Sequence, residues 1–234
     1  MTPRLALIAE TVRASSLSLG FGASVVADIG TDHAKLPVYL VNHGICSYAY
    51  AADLRKMPLN AAKENIDRLC SFPERIQTVL SDGFDRIPRT YNIVVVAGMG
   101  GELIADILER GQLESRVVLV LSPMTAAEDL RQYLYEHCYQ ISSEKIAREK
   151  EKLYTVMQAE KVQQKVSYDI VDCFVSGALS KTLPDPDTAA YIQKYIQKQN
   201  KIIAGKSKAG CFDEQYAAAR TVKARLEALL KGGI

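Results

Sequence analysis

Five short runs rich in β-branched and aliphatic residues constrain this chain more than any other feature. They are Val25–Ile29, Ser47–Ala52, Ile76–Leu80, Ile93–Ala97 and Val117–Leu121. Helix-compatible segments separate them, at Leu36–Asn42, Met57–Cys70, Gly101–Glu109 and Ala126–Cys138. Apolar strands alternating with helices predict a mainly parallel sheet with helices on both faces. Ile141–Arg148 and Lys152–Ala159 follow with only Glu149-Lys150-Glu151 between them. That gap is too short for a crossover helix, so these two strands predict an antiparallel hairpin closing the sheet edge. Ahead of the first strand, Leu5, Ile8 and Val12 share one face of an amphipathic helix.

The composition changes from about Tyr168. Leu183-Pro184-Asp185-Pro186-Asp187 is a turn that ends one segment and caps the next. Ile192, Ile196, Gln199 and Ile203 then lie at helical spacing within Thr188–Ala204, and the stretch from Gly205 to Gly210 is expected to break that helix. A second helix over Asp213–Leu230 carries Tyr216, Ala219, Val222, Leu226 and Leu229. The expected fold is therefore α/β: a Rossmann-like domain over residues 1–165, then a coiled-coil-like helical hairpin over 166–234. Lys194, Lys198, Lys201, Lys206 and Lys208 lie between Asp187 and Asp213 without an intervening acid. Such a row is either a solvated helix face or an arm that follows a phosphate backbone.

At 234 residues, 48% hydrophobic and 24% charged, the chain has the make-up of a globular protein with a proper core. No apolar run approaches the roughly 18 residues a membrane helix needs. The first residues include Glu10 and lack a signal-peptide layout. Five scattered cysteines, never in CxxC spacing, argue against a disulfide framework or a zinc site and fit a reducing cytoplasm. His33, His43 and His137 form no cluster, so no metal is expected. A net charge of +2 does not by itself indicate a nucleic-acid partner; the basic tail does more. The oligomeric state stays open, with a monomer as the starting assumption.

The chemistry gathers at the strand ends. Asp28-Ile29-Gly30 leads into Thr31-Asp32-His33, a tight turn that opens a helix. Asp32 stands where the second glycine of a dinucleotide fingerprint would be, and a side chain there hinders approach to a pyrophosphate. A ligand without phosphates tolerates it. One such ligand is S-adenosylmethionine, whose ammonium Asp28 can accept. Asp53 ends the second strand, where a carboxylate can accept both ribose hydroxyls. Asp82-Gly83 follow the third strand, where an acid can accept an adenine 6-amino group. The fourth strand runs into Ala97-Gly98-Met99-Gly100-Gly101, glycines that mean close approach to a ligand or tight turn geometry.

DIGTDHAKLP, AGMGGELI and the later LSPM together resemble the bacterial tRNA (adenine-22-N1)-methyltransferases, from Asp28 to about Ala159 and more loosely into the tail. The resemblance implies a domain that binds S-adenosylmethionine and methylates an adenine of tRNA. It puts Asp28, Gly30, Asp53, Asp82 and Gly83 at the cofactor, to which the glycine-rich loop is expected to add Ala97, Gly98 and Met99. Lys35, Gly100, Gly101, Pro123 and, from the charge pattern of the tail, Lys194, Lys198 and Lys201 are the expected substrate contacts. Lys35 replaces the family's usual tyrosine, Ser122 and Met124 replace a glutamine and an asparagine, and Asp53 replaces a glutamate.

Adenine N1 already carries an in-plane lone pair, so methylation there needs orientation more than a base. Asp32 is the catalytic candidate, accepting from the 6-amino group and stabilising the cationic product, with His33 beside it. The competing reading makes Asp32 a helix N-cap. Two other functions stand against the tRNA reading: a methyltransferase of a small molecule, and a noncatalytic adenosyl-dependent RNA-binding protein.

Overall fold

The computed structural model describes residues 1–19 and 24–232. The chain opens with α1 (Pro3–Ser18). A βα alternation follows: β1 (Val25–Ile29), α2 (Lys35–Asn42), β2 (Tyr48–Asp53), α3 (Lys56–Leu69), β3 (Ile76–Leu80), β4 (Ile93–Ala97), α4 (Gly101–Gly111), β5 (Val118–Ser122) and α5 (Ala127–Glu136). The strands β6 (Tyr139–Glu149) and β7 (Lys152–Lys161) form the expected hairpin. The seven-stranded sheet has the order β3-β2-β1-β4-β5-β7-β6, with only the β7 and β6 pairings antiparallel. The charged break at Lys150-Glu151 is the hairpin turn, with Lys150 at φ 54° and Glu149 paired to Lys152.

Successive residues of each parallel strand serve opposite faces. Ala27, Val94, Val96, Leu119 and Leu121 pack with Ile104 and Leu108 of α4 and Leu130 and Leu134 of α5. Val26, Ala49, Val95 and Val120 pack instead with α1, α2 and α3, through Ile8, Val12, Leu40 and Ile66. With both faces covered, the open side of this sheet is its carboxyl edge, where the β1, β2 and β4 turns converge.

A third apolar core joins α6 (Ile170–Phe174), α7 (Gly177–Ser180), α8 (Pro186–Lys208) and α9 (Glu214–Leu230). Tyr191, Ile192, Tyr195 and Ile196 of α8 face Val222 and Leu226 of α9. The expected break at Gly205 does not occur. One interior glycine costs a helix about 1 kcal/mol, and α8 runs through it to Lys208, turning at Gly210 with φ 66°. The short helices α6 and α7 escape the apolar periodicity, although α6 carries a capping box between Asp169 and Asp172.

One buried polar cluster joins this helical region to the sheet. Arg131 of α5, fully buried, donates from Nη2 to Glu144 Oε1 of β6 at 2.6 Å, to Tyr191 Oη of α8 at 2.9 Å, and from Nη1 to the Cys173 carbonyl at 3.0 Å. Thr155 of β7 and Ser176 also donate to Glu144. Tyr191 and Tyr195 hydroxyls lie 3.3 Å apart, and Tyr195 donates to Glu128 Oε2 at 2.8 Å. Lys198 closes the chain on the same Glu128 carboxylate.

A carboxylate-lined cavity and a lysine-lined cleft

At the carboxyl edge a cavity of about 400 Å³ is bounded by Asp28, Gly30, Asp32, Lys35, Asp53, Ala97, Gly98 and Met99. Gly30 closes the β1 turn: at φ 74° its N–H and that of Thr31 both reach the Ala52 carbonyl at 2.8 Å, tying β1 to β2. A Cβ on Gly30 would stand 2.1 Å from Met99 Cε. The glycine thus serves both the turn and the close approach of β4's loop.

Asp28 lies within this wall, buried, and among the described residues no cation pairs with it. Burial lifts its carboxyl from the usual 3.8 to about 6; Asp32 and Asp53 add to the shift and the Thr31 hydroxyl only partly opposes it. Asp53 is equally buried, and its Oδ1 accepts the Arg55 backbone N–H at 2.8 Å.

Asp32 does not cap α2. His33 and Ala34 both take left-handed conformations, φ 60° and 53°, and carry the chain past Asp32 before the helix begins. The N-cap position falls on Ala34, without a side-chain bond. Asp32 instead stands exposed at the cavity rim, 3.0 Å from His33 Nε2 and 3.7 Å from Lys35 Nζ. Two consecutive non-glycine residues in that region store strain, each of order 1–3 kcal/mol. Asn65 of α3 holds the bend by donating to the His33 carbonyl at 2.9 Å.

Other expected residues fall elsewhere. Asp82 and Gly83 lie beyond β3, outside the cavity wall; Asp82 Oδ1 accepts from Arg110 Nη2 at 3.3 Å, and Gly83 sits over Ile107. His33 is also outside the wall. Gly100 and Gly101 belong to a backbone seam joining the β4–α4 and β5–α5 connections. Gly98 N–H donates to Ser122 at 3.1 Å, Met124 N–H to Met99 at 2.8 Å, and Gly101 N–H to Thr125 at 2.8 Å. A Cβ on Gly101 would stand 2.0 Å from the Ala126 carbonyl oxygen, so packing demands that glycine.

Pro123 faces a second space, a cleft of about 370 Å³ between the β5–α5 connection and α8. Lys194, Lys198 and Lys201, spaced four and three residues apart on one helix face, line its other side. Glu128 already holds Lys198; Lys194 and Lys201 have no ion pair among the described residues. Half-exposed Met124 borders both the cleft and the cavity, so the two spaces share a wall. The sequence pattern shows α1 as an amphipathic helix but not its place at this site: Thr2, Arg4, Leu5 and Ile8 complete the cavity, and nothing in the local pattern puts a helix end 20 residues upstream there.

This strand order, with acids at the ends of adjacent strands and a seam of glycines opposite, defines a methyltransferase domain. A family model described as a methyltransferase domain matches residues 1–157. The chain is 32% identical over 178 residues to the tRNA (adenine(22)-N(1))-methyltransferase of Bacillus subtilis (strain 168), spanning 75% of this chain and 74% of that relative. Over 99% of this chain and 97% of the other, it is similar to the crystal structure of the B. subtilis M1A22 tRNA methyltransferase, with TM-score 0.80 and 28% identity. A Streptococcus pneumoniae protein solved in complex with S-adenosyl-L-methionine matches with TM-score 0.78 and 29% identity, covering 98% and 99% of the two chains. The chain belongs to the tRNA (adenine(22)-N1)-methyltransferase family.

Proposed function

We propose that this protein transfers a methyl group from S-adenosylmethionine to N1 of adenine 22 in tRNA. Membership of the family supports the reaction and both substrates. The observation that carries the site assignment is the pairing of a carboxylate-lined cavity with a lysine-lined cleft across one residue, Met124. One space suits a cationic, phosphate-free nucleoside; the other suits a polyanion.

The residues present fit the donor. Its bound form supplies a methyl group on a positively charged sulfur. Asp28, buried without a cation, accepts the donor's ammonium. Asp53 accepts the ribose hydroxyls, and β3's end, with Asp82 and Gly83, lies next in line for the adenine because β1, β2 and β3 are neighbours. Gly98 and Met99, with Ala97 behind them, form the floor opposite.

For the substrate, adenine N1 attacks with its own lone pair, so the protein orients and does not deprotonate. Asp32 at the rim accepts from the 6-amino group and stabilises the positive charge that develops on the base. His33 and Lys35 hold Asp32 in place. Pro123 and Met124 offer an apolar edge to the base, where the family's usual asparagine is missing. Lys194, Lys198 and Lys201 contact tRNA phosphates, which divides the chain into a donor-binding unit over 1–165 and an RNA arm over 166–234. A tRNA substrate places the protein in the cytoplasm, and among the described residues no helix is long and apolar enough to cross a membrane.

The test is incubation with labelled S-adenosylmethionine and unmodified tRNA bearing adenine 22. Label on N1 of that base is expected. Label on small molecules alone, or donor binding with no transfer to tRNA, would sink the assignment.

A further inference from the structure

Three cations line the donor cavity, and two of them are already committed to its acids. Lys35 Nζ lies 3.7 Å from Asp32 and Arg55 Nε 3.5 Å from Asp53. The third is Arg4, from the first turn of α1. Its Nη1 is fully buried and has no hydrogen-bond partner, and no carboxylate pairs with its guanidinium among the described residues. Glu149 accepts the Arg4 backbone N–H at 3.0 Å rather than the side chain, and the guanidinium carbon stacks 4.7 Å over the Tyr154 ring. A buried charge-bearing donor without an acceptor is costly. Arginine is also the side chain best shaped to grip a carboxylate with two parallel bonds.

We infer that Arg4 is a donor-binding residue, whose guanidinium N–H groups donate to the carboxylate of the methionine tail of S-adenosylmethionine. The inference rests on the donor reading above and deepens it. The tail is a zwitterion: Asp28, on β1, meets its ammonium, and Arg4, in the same cavity wall, meets its carboxylate. Thr2 caps α1 beside Arg4, so the helix's positive end adds to the field at the same place. Tyr154 stacks against the guanidinium and holds its plane at the cavity wall. The arrangement selects nucleosides that carry an amino-acid tail over those that lack one, and it makes α1 part of the donor site rather than a cover for the sheet.

The test compares two ligands, S-adenosylhomocysteine, which has the tail, and 5′-methylthioadenosine, which does not. Calorimetric binding is measured for wild type, Arg4→Met and Arg4→Lys, with thermal melting as the check on folding. Arg4→Met is expected to weaken S-adenosylhomocysteine at least tenfold and methylthioadenosine less than twofold, with Arg4→Lys between wild type and Met for the first ligand only. Equal weakening of both ligands would overturn the inference, because Arg4 would then only shape the cavity. So would unchanged S-adenosylhomocysteine affinity, including the case where only the KM for tRNA rises and the guanidinium serves an RNA phosphate. Should wild type bind neither nucleoside, the donor reading itself fails and takes the inference with it.

Discussion

Two carboxylates on this sheet, Asp28 of β1 and Glu144 of β6, are both buried and have opposite surroundings. Glu144 is saturated: Arg131 spans both its oxygens, and Thr155 and Ser176 donate as well. Among the described residues Asp28 pairs with no cation, and burial has already lifted its carboxyl to about 6. On the function proposed above, the difference separates a buried charge that holds the protein together from one kept ready for a ligand. Charge buried with its partners is structural capital only while every partner stays; charge buried without them costs stability until something cationic arrives. Thus Glu144 marks a joint, and Asp28 marks a site.

Removing one partner tests the joint most severely. Arg131→Met should cost about 3–5 kcal/mol, since it strands Glu144 in the interior. For a chain of this size that is a fall in melting temperature of roughly 6–20 °C, read by calorimetry. A loss under about 1 kcal/mol would mean that Thr155 and Ser176 satisfy Glu144 alone, and the contrast would collapse.

Asp28→Asn should move in the other direction. With a folded value of about 6 against 3.8, the ionised carboxylate costs the fold about 3 kcal/mol above pH 6. The variant should therefore be more stable than wild type at pH 7, by up to that amount, while S-adenosylhomocysteine binds at least tenfold more weakly. The sign with pH follows. A raised folded value favours the protonated native state, so the destabilisation is absent below about pH 4 and grows as pH rises to about 6. The stability gap between variant and wild type should open across that window and stay constant above it. Ligand affinity should depend on pH in the opposite sense, rising toward pH 6 as Asp28 ionises, and the variant should lose that dependence. A variant less stable than wild type at pH 7 would make Asp28 structural after all.

Asp32→Ala should leave melting temperature and donor affinity nearly unchanged while turnover on tRNA falls about a hundredfold. A comparable loss of stability would contradict its exposed position at the rim. The smallest effect belongs to Tyr195→Phe, which deletes one hydroxyl from the chain running from Arg131 to Lys198. About 1 kcal/mol is expected in denaturant unfolding.

How much of this was written in the chain follows the range of each interaction. Strands β1, β4 and β5 are visible because consecutive aliphatic residues in a parallel sheet face apolar layers on both sides. The hairpin shows itself through a gap too short for a helix. Asp28, Asp53 and Gly30 are legible because a strand end followed by a tight turn forces them to the carboxyl edge. The Arg131–Glu144 joint is not, since an arginine on a helix and a glutamate on a strand look like ordinary surface residues until folding buries both. The conformation after Asp32 escapes too. His33 and Ala34 give no sign of a left-handed path, so an aspartate ahead of an apolar run reads as a cap. Asp82 was read by position alone, and its carboxylate is engaged by Arg110. Arg4 stayed hidden because its neighbours come from the two ends of the sheet's history, α1 and the last hairpin.

The joint has a bearing on how an RNA is chosen. Arg131 ties α5, β6, α6 and α8 at one point, and Tyr195 with Lys198 ties α8 again to Glu128 beside the β5–α5 connection. The row of lysines is thereby set at a fixed span from the methyl donor. On the function proposed above, an arm so fastened would measure: it would accept an RNA whose phosphates reach the lysines when the target adenine reaches the rim. Any other fold of RNA would spend its own energy bending to fit, and discrimination between tRNAs would then fall to the stiffness of the substrate rather than to contacts with its bases.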